Sequence, residues 1–310
     1  MSPMNPDILV VGSANVDFTV TVDRLPQRGE TVSGGDFRLA YGGKGANQAL
    51  AAKRAGTAVL LVAKVGRDPN GELLYQRLID AGLSARGLLR DDDAPAGVAL
   101  IMVDPQGHNL IAVAPGSNHR LTKADVQALG ASACTARILL TQLEVPLETV
   151  EYVLHRGRES GMTTVLNPAP GRQLTDALLT LPEIITPNET EASILSGLAV
   201  TGPETAAQAG ARLLARGCRT VIITLGAQGS LLVRHGGVRH FPPFPVTPVD
   251  STAAGDAFNG ALAVALLEGL TIERAMVYAN AAGALCVTKR GAQEALPTRQ
   301  EIEALLRKAR

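Results

Sequence analysis

The chain has no tryptophan, and only five phenylalanines and four tyrosines among its 310 residues. A site that grips a nucleoside between broad aromatic faces has little to build itself from. An excess of charge of one sign is also missing, since Lys plus Arg and Asp plus Glu both number 29. No wide basic face is implied, which excludes nucleic acid as the main partner. Cysteine is scarce: Cys134, Cys218 and Cys286 are far apart, odd in number and without a CxxC. That excludes a disulfide framework or a structural zinc site, and reads as small buried residues in a reducing compartment. The opening MSPMNPD is polar and resembles neither a signal peptide nor a membrane span. A cytoplasmic enzyme without a membrane partner is the expectation.

The common catalytic fingerprints are absent too. No GxGxxG occurs, and Gly42-Gly-Lys-Gly-Ala-Asn47 is not a GxxxxGK[ST] loop because Lys44 is followed by Gly45. These gaps argue against a Rossmann oxidoreductase and a P-loop ATPase. His108, His119, His155, His235 and His240 show no HExxH or other metal spacing, and no GxSxG elbow is present. The histidines read as ordinary surface or turn residues.

What is present is an α/β rhythm. Ile8-Leu-Val-Val11 is a short apolar run ending at Gly12, the pattern of a buried parallel strand. Strands at 59–66, 137–143, 163–166, 184–185 and 219–225 alternate with helices at 72–81, 147–160, 189–196 and 206–216, and a further helix opens after Tyr41. This predicts a doubly wound, mostly parallel sheet with helices on both faces. Two segments break the rhythm. In Asp17–Asp23 the apolar Phe18, Val20 and Val22 alternate with polar residues, and 30–40 continues in that style with Gly34-Gly35 as a turn. Residues 98–103 and 109–113 form a hairpin around a Pro-containing turn. Together, about 15–41 and 96–114 predict a small separate β-sheet that serves as a lid on a single 1–310 domain.

The chemistry concentrates in Asp250-Ser-Thr-Ala-Ala-Gly-Asp256, a small-residue loop leading into the apolar helix 257–267. Ala253, Ala254 and Gly255 let a ligand approach the backbone, and the unpaired amides of a helix start suit a phosphate or a developing anion. Asp256 could take a proton from an attacking hydroxyl held opposite those amides, or it could simply cap the helix. Polar clusters at Gln142–Glu144, Asn167–Pro170, Thr186–Glu191 and Thr224–Gly229 each follow a predicted strand. Ligands of open α/β sheets bind beyond such strand ends, so these loops share a crevice with Asp256, which favours the base. Asn15, Asp17, Lys44 and Asn47 supply donors and acceptors for several hydroxyls, as a sugar needs, although singly each also reads as a loop or cap residue. Asn188 and Glu191, three apart at a helix start, could hold hydrated Mg²⁺ beside phosphates or cap the helix.

With these stretches in view, the chain resembles the ribokinase family of carbohydrate kinases. Gly12–Asp17, Tyr41–Ala49, Gln142–Glu144, Leu166–Pro170, Ile185–Ala192, Thr224–Gly226, Ala253–Gly260 and Lys289–Gln293 match in the family's order over nearly the whole length. The resemblance implies ATP-dependent phosphorylation of D-ribose at O5. Another small acceptor, such as deoxyribose, fructose, adenosine or pseudouridine, is the alternative. A non-catalytic sensor is disfavoured because Gly255 and Asp256 are both kept. It implies Asp256 as base, with Ala253, Ala254 and Gly255 as the anion hole. Asn15, Asp17, Gly43, Lys44, Asn47 and Glu144 would bind the sugar. Asn188, Thr224, Gly226, Gly229, Gly255 and Asn280 would line the ATP site, with Glu191 acting on Mg²⁺ through water. A monovalent cation, usually K⁺, would lie by Asp250, Thr252, Cys286, Lys289, Gly291 and Ala295. Ala295 stands where a serine is expected, and Asn280 where a histidine is common. The lid strands imply a homodimer.

Overall fold

The computed structural model describes residues 6–130 and 135–309. Cys134 and the first residues of the polar N-terminus lie outside them. The chain enters through β1 (Ile8–Val11), β2 (Asn15–Val22) and β3 (Gly34–Gly42), then α1 (Lys44–Arg54), β4 (Val59–Gly66) and α2 (Pro69–Asp80). It continues through β5 (Leu88–Asp91), β6 (Gly97–Val103), β7 (Asn109–Ala114) and α3 (Lys123–Ala128). A regular alternation follows: β8 (Ile138–Thr141), α4 (Leu147–Glu159), β9 (Thr163–Leu166), α5 (Asp176–Leu179), β10 (Ile184–Ile185) and α6 (Glu189–Ser196). The last part comprises α7 (Pro203–Ala215), β11 (Thr220–Thr224), β12 (Ser230–Arg234), β13 (Gly237–Phe241), α8 (Ala254–Leu267), α9 (Ile272–Cys286) and α10 (Arg299–Lys308).

Among the described residues, nine strands form the main sheet in the order β13-β12-β11-β10-β9-β8-β1-β4-β5. All neighbours are parallel except β11-β12 and β12-β13, which are antiparallel. Strand alternation divides the core in two. Ile8 and Val10 of β1 pack with Leu61, Leu140, α1, α8 and α9, while Leu9 and Val11 pack with Val62, Leu139, α4, α6 and α7 on the other face. Burial on both faces is why these strands read as unbroken apolar runs. The order reverses at β1, with β4 on one side and β8 on the other. A ligand crevice is expected outside the strand ends at that reversal.

The second sheet has the order β3-β2-β6-β7. Strand β2 pairs antiparallel with β3 and parallel with β6, from Asn15 opposite Gly97 to Thr21 opposite Val103. The register places Phe18, Val20, Phe37, Leu39, Leu100, Met102 and Leu110 on one face, and Asp17 on the other. Phe18 and Phe37 stack at 5.9 Å.

Three details differ from the pattern expected of the sequence. Gly34-Gly35 is not a turn but the start of β3, where the register with β2 shifts between Val20 and Val22. A Cβ at Gly34 would lie 2.5 Å from Val20 Cγ1, so the close approach at this irregularity demands glycine. Helix α8 begins at Ala254, three residues before the apolar run. Strand β5, the β12-β13 hairpin and helices α3, α5, α9 and α10 carry no expectation from the sequence. No helix among the described residues is long and apolar enough to cross a membrane.

Candidate active site at the strand ends

Helix α8 starts without a capping side chain. Its N-cap is Ala253, at φ 59° and ψ 11°, the only non-glycine residue with positive φ among the described residues. Such a left-handed alanine costs ~1–3 kcal/mol, a strain that clusters at working sites. The Ala254 amide reaches Ser251 O at 3.3 Å, whereas the amides of Gly255 and Asp256 find no acceptor among the described residues. Two free N–H groups therefore stand at the positive end of a 14-residue helix.

Asp256 does not cap this helix. Its Oδ2 accepts from Asn47 Nδ2 and its Oδ1 from Gln48 Nε2, each at 2.9 Å. Burial pushes its pKa above the usual carboxylate range, while the Lys44 ammonium and the two amides pull the other way. The carboxyl thus combines raised basicity with hydrogen bonds that keep the anion accessible, the profile of a proton acceptor.

Helix α1 supplies the neighbouring wall. Its N-cap Gly43, at φ 86°, runs so close to β1's exit that a Cβ would lie 2.6 Å from Ala14 Cα. The Lys44 amide donates to Glu144 Oε2 at 3.0 Å, and the Ser13 hydroxyl donates to the same oxygen. Asp17 has its pKa raised to about 7 by burial, then by the negative charges of Glu144 and Asp256. Burial works against the Lys44 charge, but Asp256, Glu144, Glu191 and Asp17 outweigh it and hold its pKa above the ordinary value. Asn15 Oδ1 accepts from Asn118 Nδ2 at 2.7 Å, and Asn118 Oδ1 accepts from the Ala14 amide at 2.9 Å. Asn47 Oδ1 is buried and finds no hydrogen-bond partner among the described residues.

A cleft of about 190 Å³ joins Lys44, Asn188, Glu191, Thr224, Ala253, Ala254, Gly255 and Asp256. Asn167, Thr186, Ser251 and Asn259 complete its polar lining; Asn167 and Thr186 head two of the clusters expected in this crevice, but none of the four carries an individual role in the sequence reading. Their only signal there was their position after predicted strands or in the helix start. Asn188 and Glu191 form a capping box on α6: Asn188 Oδ1 accepts from the Glu191 amide at 2.8 Å, and Glu191 Oε2 accepts from the Asn188 amide at 2.9 Å. Both uses foreseen for this pair remain compatible, because Glu191 also lines the cleft. Burial raises the Glu191 pKa against the pull of the Asn188 amide and Lys44. Gly226 and Gly229 occupy the turn after β11, and Asn280 lies on α9 with its Nδ2 buried and unpartnered; none of the three lines this cleft. A larger cavity of about 640 Å³ lies elsewhere, against Leu9, Leu139, Tyr152 and Met162, and has no carboxylate in its lining. Size therefore does not mark the chemistry here.

Beside α8, Asp250 Oδ1 accepts from the Thr252 amide at 2.9 Å and its hydroxyl at 2.6 Å, and Oδ2 accepts from the Gly291 amide at 2.9 Å. Burial opposes ionisation of Asp250, but these bonds prevail and lower its pKa. The Cys286 thiol donates to Thr252 O at 3.5 Å. The Lys289 side chain instead pairs with Glu301 at 2.6 Å, so only its backbone is left for this loop, and Ala295 is buried. Among the described residues, no three His, Cys, Asp or Glu side chains converge as a metal cage.

A doubly wound sheet whose strand-end crevice sets a buried carboxylate beside free helix amides is the arrangement of a phosphotransferase acting on an alcohol. The chain belongs to the pfkB family of carbohydrate kinases, whose profile matches residues 5–299. It is 40% identical to a ribokinase of Haemophilus influenzae, covering 96% of this chain and 97% of that protein. It is 33% identical to a deoxyribokinase of Salmonella typhi, covering 97% and 98%. The structure of Arabidopsis thaliana ribokinase complexed with ribose and ATP superposes with a TM-score of 0.88 at 32% identity, covering 98% of this chain and 99% of that one.

Proposed function

We propose that the chain transfers the terminal phosphoryl group of ATP to O5 of D-ribose, giving D-ribose 5-phosphate. The observation that carries this reading is Asp256, buried, oriented by two amides and adjacent to the free N–H groups of Gly255 and its own backbone. Asp256 takes the proton of the sugar's primary hydroxyl as that oxygen attacks. The free amides and the α8 dipole hold the phosphoryl oxygens in line, in a site whose geometry is set before the reaction begins. Asn15, Asp17, Gly43, Lys44, Asn47 and Glu144 hold the sugar. The unpartnered Asn47 Oδ1 is an acceptor for one of its hydroxyls.

Asn188, Thr224, Gly226, Gly229, Gly255 and Asn280 form the nucleotide side. Glu191 fits a hydrated Mg²⁺ on this side, since its Oε1 is not used by the capping box and it lines the cleft. The cation offsets phosphate charge when bound. The cluster of Asp250, Thr252 and Cys286 with the backbones of Lys289, Gly291 and Ala295 offers oxygen-rich ligation for K⁺, which would stiffen the loop carrying Ala253. The loss of a serine at Ala295 removes no backbone carbonyl. The second sheet is a lid that turns its Asp17 face toward the sugar. Its outer face exposes Phe37, Leu100 and Leu110, and a patch of that kind fits a homodimer through the lids.

The test is an ADP-release assay with ribose, deoxyribose, fructose, adenosine and pseudouridine. D-ribose gives the highest kcat/KM, and a higher value for any other acceptor overturns the substrate assignment. The variant Asp256→Asn loses ~10²–10⁴-fold in kcat while still binding ATP, and near-normal turnover removes Asp256 from the role of base.

A further inference from the structure

Gln48 has no solvent exposure and does not line the cleft, yet both its N–H donors and its carbonyl oxygen are engaged beside Asp256. Its Nε2 donates to Asp256 Oδ1 at 2.9 Å and to Asn167 Oδ1 at 3.0 Å, and its Oε1 accepts from Gln142 Nε2 at 2.6 Å. Turning this amide over would set a carbonyl oxygen against the carboxylate and a donor against the Gln142 donor. Only one orientation satisfies both neighbours. The chain of bonds runs on from Asn167 Nδ2 to Thr186 O at 3.0 Å, from Thr186 Oγ1 to Asn259 Oδ1 at 2.7 Å, and from Asn259 Nδ2 to Gly255 O at 2.8 Å. It begins at the carboxylate and returns to the residue beside it.

The geometry points to Gln48 as the positioning residue for the proton acceptor: through one fixed amide, itself locked by Gln142, it sets the direction in which the Asp256 carboxylate faces the sugar. A role in packing alone does not account for it, because a buried amide costs desolvation that an apolar side chain of the same length avoids. The same donor stabilises the anion over the acid, so its removal raises the pKa of the base. The inference rests on Asp256 being that base.

The test compares Gln48→Met, Gln142→Met and the double variant with the intact protein, on whichever acceptor proves best. Methionine keeps the length of the side chain and removes its donors. Gln48→Met is expected to lower kcat ~10-fold or more, with KM for sugar and ATP within ~3-fold. The acidic limb of its kcat–pH profile moves up by ~0.5 unit or more. Gln142→Met shifts both quantities the same way by less, and the double variant matches Gln48→Met because Gln142 acts only through Gln48. An unshifted pH profile, a loss confined to KM, or multiplying losses in the double variant overturns the proposal. Should Gln48→Met fail to fold, Gln142→Met alone decides it by the direction of its pH limb. Asp256→Asn in the same assay separates the two ideas: if it stays active the base is misassigned, and if it is inactive while Gln48→Met behaves as wild type, only the role of Gln48 falls.

Discussion

Substitution of Gly255 by alanine separates the demands of folding from those of catalysis. Gly255 is the second residue of α8 and lies outside the left-handed region, and a Cβ built on it meets no atom within 4 Å. The folded protein therefore accepts the methyl group without displacement. Restricting the unfolded chain at a position already helical stabilises by ~0.4–1 kcal/mol, which for a chain of this size raises Tm by ~1–3 °C. Gly255 itself lines the cleft that holds the free amides and Asp256, so added bulk at this residue narrows the space left for a ligand. A methyl group there pushes a phosphoryl group aside by about an ångström, and a misplacement of that size costs ~10²-fold in rate. Thermal unfolding of the ligand-free protein and steady-state kinetics of Gly255→Ala are the two measurements. A higher Tm with kcat/KM reduced ~10²-fold is expected. A higher Tm with unchanged kcat/KM would show that the transferred group is held elsewhere, and would refute the anion site at α8 while leaving the fold untouched.

Other consequences follow from the charges and the exposed faces. The pKa of Asp17 is raised from 3.8 to about 7, so between those values the native state keeps a proton that the unfolded chain has lost. Stability from this group is greatest below pH 3.8 and falls as pH rises through about 7, by up to ~1.4 kcal/mol per pH unit. Asp17→Asn flattens that slope in urea unfolding measured across the window and makes the variant the more stable protein at pH 8; an unchanged slope contradicts the burial argument. K⁺ raises both kcat/KM and Tm relative to tetramethylammonium, and Asp250→Ala abolishes both responses; equal values in the two salts remove the cation from this loop. Leu100→Glu, at a position 57% exposed on the outer lid face, yields a monomer in sedimentation velocity, whereas a variant that sediments like the parent protein places any interface elsewhere.

The main sheet was legible because its strands are buried on both faces, so each appears as a short apolar run, and the residues that end them cluster polar groups at one rim. The hairpin of β12 and β13 was missed for the converse reason. Residues Gly237–His240 are exposed at the sheet edge and carry no apolar alternation strong enough to announce a strand. Helix α10 did carry a signal, since Thr298 and Glu301 form a capping box with the spacing that marks a helix start. The start of α8 misled because the usual sign was absent. Its cap is a left-handed alanine without a side-chain acceptor, so nothing at 253 marks a helix start and the apolar run from 257 sets the expected boundary; Asp256, open to both a cap and a base until the strand-end loops favour the base, turns its carboxylate to Asn47 and Gln48.

The same contrast explains which site residues could be read and which could not. Asp256 and Lys44 are charged groups in apolar or glycine-rich surroundings, and burying a charge is costly enough to mark a residue for a purpose even without a structure; Glu191 is marked instead by its spacing from Asn188 at a helix start. Asn118 and Gln48 are neutral amides, which occur in any turn or helix and advertise nothing locally, and Asn167 is marked only as the head of a polar cluster after a strand. Gln48 precedes Asp256 by 208 positions and Asn167 by 119, and Asn118 follows Asn15 by 103. Contacts over such separations exist only because β1 sits between β4 and β8 and brings the exits of several strands to one rim. The reacting groups are thus marked by the cost of their own burial, whereas the groups that aim them acquire a role only after the chain has closed, and for those the coordinates carry information that the order of residues does not.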